Sequence, residues 1–64
     1  MIPLPIDLGD GRLLWRRSRH RWVTIEPHDG AVRVVWADGS DAGRFVTTRY
    51  DRVLQDLRWL YAPT

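Results

Sequence analysis

Cysteine is absent from this 64-residue chain, and that absence excludes disulfide staples, thiolate metal sites, zinc ribbons and thiol nucleophiles together. The core must hold by packing alone. Lysine is absent as well: all ten basic residues are arginine, set against eight acids for a formal net charge of +2. A GC-rich genome favours arginine codons, so the total by itself does not separate codon usage from selection for the guanidinium group. No run approaches the roughly 20 apolar residues that cross a bilayer. The start, Met1-Ile2-Pro3-Leu4-Pro5-Ile6-Asp7-Leu8, lacks the basic and apolar regions of a signal peptide, which predicts a cytoplasmic protein with no membrane partner. Repeats, low-complexity tracts and linkers are missing too, and the length suits one small domain over 1–64.

What is present is aromatic bulk. A domain of this size buries only roughly 60% of its unfolded surface, so large side chains must supply much of the stabilisation. Four Trp, two Tyr and one Phe are available, and each buries on the order of 150–250 Å². A hydrophobic fraction of 44% beside 28% charged is that of a globular protein rather than a disordered one.

Residues 1–11 read as an extended leading segment, with Pro3 and Pro5, alternating Leu4, Ile6 and Leu8, then the turn Gly9-Asp10-Gly11. It forms either an edge strand with proline at its start or an irregular arm. Residues 12–16 read as a short strand, Arg17-Ser18-Arg19-His20 as a loop, and residues 21–26 as a second strand rich in β-branched and aromatic side chains. Pro27-His28-Asp29-Gly30 is a turn signal. Residues 31–37 make the clearest strand, with Val32, Val34 and Trp36 on one face and Arg33 and Val35 on the other. Residues 38–43 read as a turn region and Arg44-Phe45-Val46 as a short strand.

The period then changes. Tyr50, Val53, Leu54, Leu57, Leu60 and Tyr61 recur at three and four, which predicts one apolar face of a helix. Thr47 or Thr48 offers a hydroxyl cap, Asp51 and Arg58 suit the two ends of the macrodipole, and Pro63 bars continuation. The expected architecture is α+β: a three- to four-stranded antiparallel sheet over 12–47 and one C-terminal helix over 48–61 packed on one face.

Five of the ten arginines fall between residues 12 and 21, and no acid occurs from Arg12 to Thr24. Codon usage does not explain that clustering. On a hairpin, Arg16, Arg17, Arg19 and Arg21 would meet phosphate oxygens, the bidentate chemistry guanidinium groups suit. If Val23 and Ile25 point at the helix, Trp22, Arg33 and Arg44 share the open face of the sheet with that hairpin. The bland alternative is a solubilising hairpin with arginines stacked on Trp15 or Trp22, and a competing placement folds Trp22 over the end of the core. Trp59 and Arg58 lie off the helical stripe, and an exposed Trp59 would mark a partner surface or a homodimer contact.

Other chemistry is thin. His20 and His28 with a lone carboxylate each do not make a metal site. Asp38-Gly39-Ser40-Asp41 lacks the length and closing glutamate of a calcium loop, and Ser40, His28 and Asp41 do not make a triad by sequence. The expectation is a protein that is not an enzyme and carries no cofactor.

The order of Arg21-Trp22-Val23-Thr24-Ile25, a turn, a strand, Phe45 and then a helix resembles the small DNA-binding domains of plant AP2 factors and phage integrase arms, over about residues 12–61. The resemblance implies a sheet laid on DNA with a helix behind it, and contacts by Arg16, Arg19, Arg21, Trp22 and Arg33. A fainter pattern, Trp15-Arg16-Arg17-Ser18 with Val23-Thr24-Ile25-Glu26 and Phe45 before Tyr50, is similar to small actinobacterial proteins found beside helix-turn-helix regulators, which look like partner-binding proteins. The sequence thus points first to nucleic acid, DNA above all, bound through Arg16, Arg17, Arg19, Arg21, Trp22 and Arg33. The alternative is a small regulatory or phage-encoded protein that binds another protein, such as a nucleic-acid enzyme it inhibits.

Overall fold

The computed structural model describes residues 3–62. Five strands follow one another and then a helix: β1 (Ile6–Gly9), β2 (Arg12–Ser18), β3 (Arg21–His28), β4 (Ala31–Asp38), β5 (Asp41–Thr47) and α1 (Tyr50–Tyr61). Each strand pairs antiparallel with the next, giving one sheet in the order β1-β2-β3-β4-β5. The class is the expected α+β, with five strands in place of three or four. Among the described residues no helix is long and apolar enough to cross a membrane.

The strands outrun their sequence signals because the turns are tighter than the composition suggests. Asp10-Gly11 and Asp29-Gly30 both have two successive positive φ angles, 55° and 79°, then 48° and 79°. That is the type I′ pattern, whose twist matches the strands it joins. Pro27 and His28 therefore belong to β3, opposite Val32 and Ala31, and not to the turn. Pro27 is tolerated there because β2 has ended beside it: a Cβ on Gly11 would lie 3.0 Å from the Pro27 ring, so its missing N–H faces no ladder. Gly39, at φ 65°, opens the two-residue turn before Asp41, and β5 runs seven residues instead of three. β2 likewise continues through Ser18, with the register shifting at Arg17 and only Arg19-His20 left as the turn.

Period two sorts the side chains. On one face the rows Trp15, Val23, Trp36, Gly43 and Leu13, Ile25, Val34, Phe45 run across β2 to β5. Trp15, Val23, Ile25 and Val34 are buried there against Val53, Leu57 and Leu60 of α1. Leu57 and Leu60 are fully covered, whereas Tyr50 and Leu54 stay partly exposed, so the covered stripe is narrower than the sequence spacing implies. The Trp15 indole N–H donates to the Pro3 carbonyl at 3.2 Å, tying the leading segment to the core.

The helix packs chiefly on β2 and β3. Its start is Tyr50, with Arg49 at the N-cap and no side-chain cap. Thr47 instead accepts the Arg49 N–H at 3.0 Å, a local hydroxyl turn rather than a cap. Arg49 grips Asp51 through Nε and Nη2 at 3.0 and 2.8 Å, which lowers the Asp51 carboxyl below its ordinary range and raises the Arg49 guanidinium. Ala62 is extended, as a residue preceding proline should be. Pro63, the expected stop, lies outside the described residues.

Two outcomes follow. A Cβ at Gly43 would sit 2.7 Å from the Trp36 ring, so Gly43→Ala should cost about 1–3 kcal/mol in urea unfolding and shift tryptophan fluorescence, as overpacking does. Because the folded pKa of Asp51 is depressed, its small contribution is present above the ordinary carboxylate range and lost as pH falls through the folded value. An Asp51→Asn variant should show a correspondingly weaker loss of helix signal on acidification.

Candidate nucleic-acid interface

The arginine cluster is not one surface. At the register shift opposite Arg21, Arg17 reaches the end of α1, where Nη1 donates to the Leu60 carbonyl at 3.1 Å and to that of Ala62. Arg21, which alternates to the same side as Val23 and Ile25, donates from Nη2 to the Trp59 carbonyl at 3.1 Å. Its guanidinium carbon lies 5.6 Å from the centre of the Trp59 ring, and its Nε is 3.2 Å from Asp38 Oδ1, an ion pair whose angle makes no hydrogen bond. A helix C-terminus exposes carbonyls that lack intrahelical partners and carries partial negative charge, so two cations are well placed there. Burial pushes the Tyr61 phenol up from its ordinary value, and the Arg17 charge opposes the rise.

Arg17 and Arg21 are therefore engaged with the helix rather than with the open face, contrary to the expectation that the four hairpin arginines project together. Arg12 also turns inward on its own hairpin, donating to the Gly9 and Leu8 carbonyls at 3.3 and 3.1 Å. Trp59 is half-buried rather than exposed: its ring meets Trp36 edge-on at 6.2 Å, packed against the core.

The opposite face of the sheet carries the remaining candidates. Arg16, Trp22, Ala37 and Ala42 form one row across β2 to β5, and Leu14, Thr24, Val35 and Arg44 the next. Trp22 thus lies away from the helix, on the open side, half-buried and flanked by the small Ala37. Arg33 shares this face but is held, donating to Glu26 Oε1 at 3.2 Å and contacting His28 Nδ1 at 3.1 Å. Arg16 and Arg44 are exposed, as is Arg19 at the hairpin tip. None of the three makes an ion pair or side-chain hydrogen bond among the described residues.

Charge separates across the sheet. Of the acids on the strands, Asp7, Asp38 and Asp41 fall in the rows of Leu13 and Arg21, on the helix side, and Glu26 alone shares the open face. Arg16 on β2 and Arg44 on β5 are three strand spacings and one side-chain row apart, about 16 Å, with Trp22 on β3 between their strands. This arrangement can neutralise several anionic groups at once and offers an aromatic plane to whatever lies on it.

A groove of about 250 Å³ also opens between α1 and the β4–β5 side, lined by Val34, Trp36, Phe45, Leu57 and Trp59 among others. Sequence spacing gave no hint of it, although a glycine inside a strand, Gly43, signals a close approach. No protein-family model matches the chain, and no characterised protein or solved structure matches it either.

The helix clasp yields its own expectation. Arg17→Ala with Arg21→Ala should destabilise the fold by about 1 kcal/mol or more and speed amide exchange in the last turn of α1. Arg16→Ala should leave both within error of the wild type.

Proposed function

We propose that this chain binds nucleic acid, DNA in the first place, through the open face of its sheet. Arg16, Arg19 and Arg44 contact phosphates, and Trp22 offers a ring on which a base stacks. Arg33, steadied by Glu26, lies within the same surface. Arg17 and Arg21 act behind it by fixing the helix. The observation that carries this reading is the separation of charge across the sheet.

Width bears on the form of the ligand. Five strands at about 4.8 Å spacing span roughly 19 Å, more than the major groove of about 12 Å. The whole face cannot enter duplex DNA; only the two-stranded β2–β3 tip fits. A splayed single strand can lie across all five strands, so single strands should bind more tightly than duplex. No catalysis is part of this reading.

The apolar residues of the open face favour a second reading. Ile6 and Val46 are about half exposed, at 52% and 51%, and with Leu14 and Val35 they suit a protein partner, such as a nucleic-acid enzyme inhibited by the same surface.

Fluorescence anisotropy of labelled 15-mers (about four to sixteen nucleotides is one small-domain site) separates the two. Affinity should fall steeply with salt, and Arg16→Ala, Arg19→Ala and Arg44→Ala together should flatten the log–log slope by about two for single strands. Arg17→Ala with Arg21→Ala should leave the slope intact. Absence of binding to single and double strands even at low salt would overturn the nucleic-acid reading in favour of the protein partner.

A further inference from the structure

The two edges of the sheet are built differently. β1 is four residues long, shifts register between Asp7 and Gly9, and follows Pro3 and Pro5. Short length, bulges and nearby proline are the usual protections of a free edge. β5 has none of these three, and its only protection is charge, from Asp41 at its start and Arg44 at its centre. It runs seven residues in unbroken register with β4, from Asp38 opposite Asp41 to Val32 opposite Thr47, and contains no proline. It has no second neighbour among the described residues. Phe45 and Val46 stand 40% and 51% exposed, and a concavity of about 410 Å³ lies at this edge, lined by Arg33, Arg44, Phe45 and Val46.

We infer that β5 pairs antiparallel with β5 of a second copy of this chain, joining two sheets into one of ten strands. Its charged residues are Asp41 and Arg44, and antiparallel self-pairing centred off Arg44 keeps each from standing directly opposite its own counterpart, whereas in-register parallel pairing sets like charges together. Charge also selects the register. Centring on Arg44 places two guanidinium groups directly opposite, which is unfavourable. Centring on Phe45 sets the two rings opposite on the helix side and places Arg44 beside Val46 of the second copy.

The backbone permits this register. In a two-residue hairpin the residues flanking the loop form the hydrogen-bonded pair and the pattern then alternates. Asp41, Gly43, Phe45 and Thr47 thus direct their amides to β4, and Ala42, Arg44 and Val46 direct theirs outward. With the dyad at Phe45, Arg44 and Val46 exchange backbone hydrogen bonds twice, and the Phe45 pair occupies the closer, non-hydrogen-bonded site at about 4.5 Å between Cα atoms.

Sedimentation of the free protein, without nucleic acid, tests this from about 1 to about 500 µM, the range of weak association. A monomer–dimer equilibrium is expected. Val46→Pro removes an outward N–H and leaves the β4 ladder intact, so it should weaken dimerisation on the order of tenfold or more while circular dichroism and urea unfolding show a folded chain. Register is read independently of that variant, because the chain has no cysteine of its own. Phe45→Cys should form a disulfide dimer under mild oxidation, and Arg44→Cys, about 7–8 Å from its counterpart on the diagonal, should not. A wild-type chain that stays monomeric throughout overturns the proposal. So does a dimer that survives Val46→Pro in a folded chain, or one that crosslinks through Arg44→Cys and not Phe45→Cys. None of these outcomes depends on whether the open face binds nucleic acid.

Discussion

Val53, Leu57 and Leu60 of α1 pack on β2 and β3, and the division of the molecule into a covered and an open face depends on that packing, with two guanidinium groups from the β2–β3 hairpin fastening the end of the helix. Arg17 reaches Leu60 and Ala62, and Arg21 reaches Trp59 while stacking on its ring. A chain of this size has little apolar area to spare and no covalent staple. A helix of twelve residues is marginal alone, so its end needs partners that the sheet must provide. Charge at the helix terminus and packing of Val53, Leu57 and Leu60 on β2 and β3 act together. Once the helix is fixed over that side, every second residue of the sheet is committed to the opposite face.

That constraint reinterprets the arginine cluster. Its density between residues 12 and 21 looks like a single ligand-binding patch, yet Arg12 braces its own turn, Arg17 and Arg21 brace the helix, and of the five only Arg16 and Arg19 make no side-chain hydrogen bond or ion pair among the described residues. The surviving surface is smaller along the chain but wider in space, because antiparallel pairing adds Arg44 from β5 and sets Trp22 between. Acids are displaced to the helix side, where Asp38 meets Arg21. A modest net charge thus coexists with a face that is locally cationic.

Much of the fold was legible from the sequence, for reasons that can be named. Period two in residues 31–37 and period three to four from Tyr50 fixed the clearest strand and the helix, while the alternation offered the open face for Trp22 and Arg33 and left a placement of Trp22 over the end of the core beside it. Strand ends were less legible. Asp-Gly pairs close turns in two residues, so Pro27, His28 and Asp41 to Gly43 extend strands although their composition resembles loop. The site was legible only in part, because a sequence shows that arginines cluster but not which face each takes past a register shift. Arg17 illustrates this. Trp59 fell off the ideal helical stripe yet packs inward, since Gly43 leaves room for Trp36 and Trp36 offers Trp59 an edge.

The four tryptophans sit in three environments: Trp15 in the core, Trp36 and Trp59 at the groove, and Trp22 on the open face. Indole N–H signals in a two-dimensional nuclear magnetic resonance titration therefore report directly on which face a ligand occupies. Addition of a short single-stranded oligonucleotide at low salt should move the Trp22 indole and the backbone amides around Arg16 and Arg44, and leave the Trp15, Trp36 and Trp59 indoles in place. Movement centred on Trp36 and Trp59 with Trp22 unperturbed, or no movement at all, would contradict the assignment of the open face as the binding surface.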